Sequence, residues 1–299
     1  VKGRVAILVL LLTGCRSIDP SPAPPPREER TDDGLFVRQS GAGPDVVLLH
    51  GLGDSSVGWR RIEPALVEAG FRVTVWDALG AGQSEKPAHG DYRLEAHLAR
   101  LERTLAWFGV GRAAVVGHSL GGSLALMFAQ RHPDRVRALA LIDAAAYRQG
   151  ALEDRRFWDV PLLADIVLGL ITDEFLVDFG LRQNFHHPER ISEELRAIYL
   201  REARRPGAVR ALILQERQLM PDDPAAWEAG HRTVAAPTLI LWGEHDRLVP
   251  RAQGERLARE MPRARLVVLA DLAHSPQLEA PERVLERLIP FLKDPGCRP

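Results

Sequence analysis

Val115-Val116-Gly117-His118-Ser119-Leu120-Gly121-Gly122-Ser123 is the stretch whose reading decides the fold. A short β-branched run leads into it, and an apolar helical pattern, Leu124-Ala125-Leu126-Met127-Phe128-Ala129, leads out. Between them Gly117, Ser119 and Gly121 spell Gly-x-Ser-x-Gly, the pattern of a tight strand-to-helix turn that holds a serine hydroxyl above a sheet. The spacing has a physical cause. The serine takes an unfavourable backbone conformation, and its neighbours two positions away must lack bulk for strand and helix to approach. The helix that follows also points its N-terminus at the place where an attacking serine builds negative charge. Taken alone, the pentapeptide is equally the pattern of a glycine-rich turn that merely opens a helix. A strand before it, a helix after it and chemical partners elsewhere decide between the two.

Working upstream, residues 113–116 are the strand that enters the turn, and Leu94, Leu98, Leu101, Leu105 and Phe108 keep helical spacing before it. Residues 71–76 read as a strand ending in Asp77-Ala78-Leu79-Gly80-Ala81-Gly82-Gln83-Ser84. Gly80 and Gly82 do not complete a Gly-x-Gly-x-x-Gly dinucleotide pattern, because position 85 is Glu. Residues 59–68 read as a helix closed by Gly70. Asp45-Val46-Val47-Leu48-Leu49 is the continuous apolar run of a buried parallel strand, ending in His50-Gly51-Leu52-Gly53. Leu35-Phe36-Val37 reads as an edge strand.

Downstream, residues 136–142 form another strand, ending at Asp143. From Tyr147 to about Arg232 helical periodicity takes over, with Phe157, Trp158, Leu162, Leu163, Ile166, Phe175, Phe179 and Tyr199 recurring along it. Residues 238–242 return to the sheet and run into Gly243-Glu244-His245-Asp246-Arg247-Leu248-Val249-Pro250. Residues 266–269 are the last strand, followed by Asp271-Leu272-Ala273-His274-Ser275-Pro276. Pro281 suits the first position of a helix continued by Val284, Leu285, Leu288 and Phe291. This alternation predicts an α/β protein: a mostly parallel central sheet flanked by helices, interrupted by a helical insertion.

With Gly117-x-Ser119-x-Gly121 and His50-Gly51-Leu52-Gly53 both on strand ends, the chain resembles the α/β-hydrolase family over roughly residues 35–293. The resemblance divides it into a core of residues 34–146 and 233–293, a helical cap of residues 147–232 and a tail of residues 294–299. It implies that Ser119 is the nucleophile and that the backbone N–H groups of Leu52 and Leu120 form the oxyanion hole. In this family the triad runs serine, acid, histidine. His274, the only histidine after Asp246, is then the base. Asp246 in Gly-x-x-Asp-x-x-Val-Pro matches the family's acid loop best, with Glu244 and Asp143 as alternatives. Asp77 is implied to be part of a structural turn, and His50, read from its position alone, bonds loop backbone.

The chemistry so implied is acyl transfer to Ser119, with His274 moving the proton and Asp246 holding the imidazole tautomer. It requires no cofactor and no metal. A serine at the nucleophile position, rather than aspartate, leaves carboxylesterases and lipases, amide or lactone hydrolases, carbon–carbon bond hydrolases and acyltransferases. Hydrolysis of a small-molecule ester with a small or medium acyl chain is the expectation, by analogy. A non-catalytic ligand-binding protein that kept the pocket is the alternative of a different class.

The 39 basic and 40 acidic residues nearly cancel, so no strongly charged face for nucleic acid is implied. The two cysteines, Cys15 and Cys297, stand at opposite ends of the sequence and make neither a disulfide framework nor a cysteine-rich metal site. His186-His187 are adjacent and face apart, and no His-Glu-x-x-His occurs, so they read as ordinary surface or cap residues. Lys2 and Arg4 precede an apolar run from Val5 to Leu12, far short of the ~20 residues that span a bilayer and typical of a secretory signal. Leu12-Thr13-Gly14-Cys15 resembles the lipobox of bacterial lipoproteins, which implies a signal peptide over residues 1–14 and a lipid on Cys15. A membrane-anchored protein of the bacterial cell envelope follows; a plain cleaved signal with a chance cysteine is the alternative. Arg16, in place of Asp, does not suggest inner-membrane retention. Residues 15–33, with Pro20, Pro22, Pro24, Pro25 and Pro26, read as a tether. At ~3.1 Å per residue its proline-rich part reaches roughly 45 Å.

Overall fold

The computed structural model describes residues 25–148, 172–218 and 220–296. Eight strands form one sheet: β1 (Arg27–Arg30), β2 (Phe36–Ser40), β3 (Asp45–Leu49), β4 (Arg72–Trp76), β5 (Ala113–His118), β6 (Val136–Ile142), β7 (Thr238–Gly243) and β8 (Ala264–Leu269). Their spatial order is β1-β2-β4-β3-β5-β6-β7-β8. The pairs β1–β2 and β2–β4 are antiparallel, and every pairing from β4 to β8 is parallel. The expected mostly parallel sheet is therefore present.

Apolar runs without alternation are what a sheet covered on both faces requires. In β3, Val47 and Leu49 enter one core while Val46 and Leu48 enter the other; in β7, Ile240 and Trp242 oppose Leu239 and Leu241. The first face is covered by α2 (Leu94–Trp107), α3 (Leu120–Arg131) and α8 (Ala252–Glu260), the second by α1 (Ile62–Glu68) and α10 (Pro281–Lys293). In α10, Pro281 opens the helix, and Val284, Leu288, Phe291 and Leu292 form the stripe that faces the sheet.

Between β6 and β7 the described part of the insertion holds α4 (Asp173–Asn184), α5 (Glu193–Ala203), α6 (Ala208–Arg217) and α7 (Pro224–Gly230). Thr172 and Ser192 cap α4 and α5, their hydroxyls accepting from Phe175 N–H at 3.2 Å and Leu195 N–H at 3.1 Å. Val177, Leu181, Phe185 and Leu195 make a small core of their own. Phe175 and Phe179, by contrast, stack on each other with more than half of each side chain in solvent. A four-residue helix, α9 (Pro276–Glu279), lies just after His274.

Three readings change. Residues 27–30, assigned to the tether, form β1. Backbone pairing with β2 is supplemented by Glu29 accepting from Trp107 Nε1 at 2.8 Å and by the Arg27 guanidinium over the Phe108 ring. Four charged residues in a row are no obstacle at an edge, where a strand needs one partner and solvent on its other side. Consequently β2 is not the edge strand. The helix expected over residues 59–68 is instead the shorter α1, preceded by a 3-10 turn over Ser56–Trp59. The signal segment, Cys15 and most of the tether lie outside the described residues, as do Phe157, Trp158, Leu162, Leu163, Ile166 and Cys297. Among the described residues, no helix is long and apolar enough to cross a membrane.

Candidate active site

The loops that leave the C-terminal ends of β3, β5, β6, β7 and β8 meet over the sheet. At the end of β5, Ser119 has φ 50° and ψ −117°, a conformation that L-residues rarely adopt. A Cβ on Gly117 would stand 2.3 Å from the carbonyl oxygen of Gly121, and one on Gly121 only 2.1 Å from that of Leu49. Strand, helix and neighbouring strand thus touch backbone to backbone, which is the tertiary reason for both glycines. The same closeness sets the His50–Gly53 loop beside Ser119. Among the described residues no protein acceptor meets the N–H of Leu52 or Leu120, and both residues line the same cavity as Ser119.

His50 is structural, as its position suggests. Its Nδ1–H donates to Gly51 O at 2.8 Å, and its Nε2 accepts from Ala78 N–H at 2.9 Å. Asp77 holds its turn by accepting from Ser56 N–H at 2.6 Å and Gln83 N–H at 2.7 Å.

Of the three carboxylates considered for the acid, Asp246 is the one that meets His274. Its Oδ2 accepts from Nδ1 at 2.8 Å, with side-chain exposures of 0% for Asp246 and 5% for His274. Its Oδ1 accepts from the N–H groups of Leu248 and Val249 at 2.8 and 2.9 Å. A carboxylate so placed fixes the proton on Nδ1 and leaves Nε2 as the basic nitrogen. Glu244 instead sits near His245 and the Asp271 N–H. Asp143 is wholly buried just after β6, its Oδ1 accepting from Gly243 N–H at 2.8 Å and one of its oxygens within 4.8 Å of one of Asp246. Burial, then the Asp246 charge, push its pKa well above the ordinary carboxylate range.

Several residues that support this geometry went unread in the sequence. His118, inside the elbow, donates Nε2–H to the His274 carbonyl at 2.7 Å, with the two rings 4.9 Å apart. Burial and the nearby His274 lower its pKa well below the usual imidazole value, so it holds His274 as a neutral ring. Asn184, at the end of α4, accepts from Ser275 N–H at 3.1 Å and from Ser275 Oγ at 2.7 Å. Glu279 accepts from Ala273, His186 and His187 N–H groups, tying the His274 loop to the insertion. His118 adjoins Ser119 in sequence and could have been singled out; nothing in the pattern around Asn184 or Glu279 marks them.

His186, His245 and Asp271 also gather, with a ligating atom of each within 4.8 Å of the others. The two imidazoles stack 4.0 Å apart at 17°, so their in-plane lone pairs run side by side and do not converge on one ion.

Above Ser119 and His274 opens a cavity of about 950 Å³. Leu52, Leu120, Val177, Leu181, Leu212 and Ile213 contribute to its wall, which combines core loops with the inserted helices. Tyr199 of α5 donates to Asp54 Oδ1 at 2.7 Å, bolting the insertion to the loop after β3. Among the described residues the cations on the wall are Lys86, Arg148 and Arg217. Lys86 Nζ is held by the carbonyls of Gly82 at 2.6 Å and Ser84 at 2.8 Å, Arg148 faces Glu228, and Arg217 is exposed.

Comparison with known proteins agrees with this architecture. The family model for the alpha/beta hydrolase fold matches residues 44–281. A 2-hydroxy-6-oxononadienedioate/2-hydroxy-6-oxononatrienedioate hydrolase of Burkholderia vietnamiensis is 31% identical over 280 residues, 89% of this chain and 93% of that protein. Lipase 1 of Psychrobacter immobilis is 27% identical over 246 residues, 80% of this chain and 74% of the lipase. The structure of a meta-cleavage product hydrolase from Pseudomonas fluorescens superposes with a TM-score of 0.75 at 23% identity, covering 90% of this chain and 97% of that one. At that identity the likeness is one of fold.

Proposed function

The chain belongs to the α/β-hydrolase family, and from there we propose that it is a serine hydrolase cleaving carboxylic esters of small or medium acyl chains. Ser119 attacks the ester carbon while His274 Nε2 takes its proton. The tetrahedral intermediate collapses to an acyl-enzyme as His274 returns that proton to the departing alcohol. Water, activated by the same imidazole, then releases the acid and regenerates Ser119. Asp246 stabilises the imidazolium formed in each half. The Leu52 and Leu120 N–H groups receive the oxyanion, each contributing about 3 kcal/mol to the barrier reduction.

The observation that carries this reading is the Asp246–His274 pair, desolvated and bonded at 2.8 Å, opening onto the same cavity as the strained Ser119. The choice of ester over carbon–carbon cleavage rests on the wall. The Burkholderia relative is named for dioate substrates, which carry two carboxylates. The described cations here are spent on protein carbonyls or a carboxylate, or lie exposed, and the near walls are aliphatic. Such walls favour an acyl chain, at ~0.8 kcal/mol per methylene removed from water. A volume of about 950 Å³ is at the upper end of ligand pockets and suits an intermediate chain together with its alcohol.

A fluorophosphonate probe should label Ser119, and p-nitrophenyl ester rates should rise to an intermediate chain length and fall beyond it. Labelling with no ester turnover, alongside turnover of a dienedioate, would select the carbon–carbon reading. An absence of labelling would select a binding protein. We further propose, on the Leu12-Thr13-Gly14-Cys15 pattern, that Cys15 carries lipid and holds the enzyme at a bacterial membrane.

A further inference from the structure

Behind the Asp246–His274 pair sits a second carboxyl that the mechanism above does not use. Asp143 follows β6 with no solvent exposure and φ 45°, one of three non-glycine residues with positive φ among the described residues; Ser119 and Asp271 are the others. An oxygen of Asp143, an oxygen of Asp246 and a ring nitrogen of His274 lie within 4.8 Å of one another. Two carboxyl groups this close and away from water resist ionising together. The donors decide which one does. Asp246 receives three N–H bonds, from His274, Leu248 and Val249. Asp143 receives one, from Gly243, and its Oδ2 is buried without a partner among fixed donors.

We propose that Asp143 is a neutral carboxylic acid that donates a hydrogen bond to the Asp246 carboxylate and so positions the acid against His274. The inference rests on the triad reading given above. Asp143 touches neither substrate nor the reacting atoms; it is a positioning residue acting through Asp246. Its O–H turns an unfavourable carboxyl contact into a fourth hydrogen bond on Asp246 and restrains the carboxylate from rotating off the imidazole. The direction of its pKa, raised by burial and by Asp246, agrees. The titratable groups that face it are Asp246, from the loop after β7, and His274, from the loop after β8, with neutral His118 beyond them on β5.

Asparagine tests this directly, because its amide can donate to Asp246 and accept from Gly243 while carrying no charge. Asp143→Asn should keep ester kcat within a few-fold of the parent. Asp143→Leu should lower kcat about 10²-fold with KM little changed, the scale of a mispositioned catalytic group. The infrared difference spectrum of the parent minus Asp143→Asn at pH 8 should hold a protonated-carboxyl C=O band. The idea is overturned if that band is absent, if Asp143→Asn loses as much activity as Asp246→Asn, or if Asp143→Leu turns over like the parent. Should Asp143→Leu fail to fold, the infrared band and the asparagine variant still decide. Failure of the triad reading is seen separately, as ester turnover that survives Ser119→Ala, and it leaves the infrared measurement interpretable.

Discussion

Ser119 is held in a conformation its side chain disfavours because Gly117 and Gly121 let three backbone segments close around it. The strain keeps the hydroxyl above the sheet and beside the Leu52 loop. Ser119→Ala should therefore leave the melting temperature nearly unchanged and lower kcat by about 10⁵–10⁶-fold, the range of a lost serine nucleophile. Among the acids, Asp246→Asn should cost about 10⁴-fold, since an amide in place of the carboxylate selects the wrong imidazole tautomer. Glu244→Gln, well away from His274, should stay within a few-fold. Steady-state kinetics on one good ester checks all three, and an order reversed between Glu244 and Asp246 would reassign the acid.

At the scale of elements, the site is a set of strand ends brought into register by close backbone packing. Gly121→Ala drives a methyl group into the Leu49 carbonyl, which belongs to a strand buried from Val46 onward and cannot move aside as a flexible side chain would. It should cost about 3 kcal/mol, read as a lowered urea midpoint. Gly180, inside α4, is the opposite case: among the described residues a Cβ there meets nothing within 4 Å. Gly180→Ala should stabilise the protein by about 0.5–1 kcal/mol through reduced backbone freedom in the unfolded chain. Two glycines in helices thus answer the same substitution with opposite signs, and a stabilised Gly121→Ala would show that the elbow is looser than its contacts imply.

For the molecule as a whole, the buried histidines govern the response to acid. His97 is packed against Trp76 and Tyr92 with neither ring nitrogen bonded among the described residues, and burial lowers its pKa to about 3. The unfolded chain takes up that proton near pH 6.5, so stability falls as pH drops from about 6.5 toward 3. His118 and His231 are shifted the same way, chiefly by burial. Asp54 and Asp143 act in the opposite sense: raised in the fold, they withdraw stability as pH climbs above the ordinary carboxylate range. His97→Leu isolates one contribution. Between pH 6.5 and 5 it should lose about 1.5 kcal/mol less unfolding free energy than the parent; equal losses would mean that His97 is protonated in the native state. At the same scale, the proposed lipid anchor predicts that Cys15→Ser shifts the protein from the membrane to the soluble fraction of a bacterial host, since stable anchoring takes acyl chains. An unchanged distribution would refute the lipid anchor.

The strand runs, the elbow and the insertion were legible because each depends on neighbours in sequence, whereas the order of Ser119, Asp246 and His274 was expected only from the resemblance to the family. Two-faced burial makes an unbroken apolar run, and backbone contact at the elbow demands glycine at fixed spacing. Which carboxylate meets His274 depends on how the loops after β6, β7 and β8 lie across the sheet, a matter of register between segments about a hundred residues apart in the case of Asp143 and Gly243. The same holds for β1, whose charged residues give no strand signal until β2 offers them a partner. It holds also for the clamps that His118, Asn184 and Glu279 place on the His274 loop. Local sequence determined the elements and the chemistry available at their ends; only the packing of distant segments decided which donor faces which acceptor.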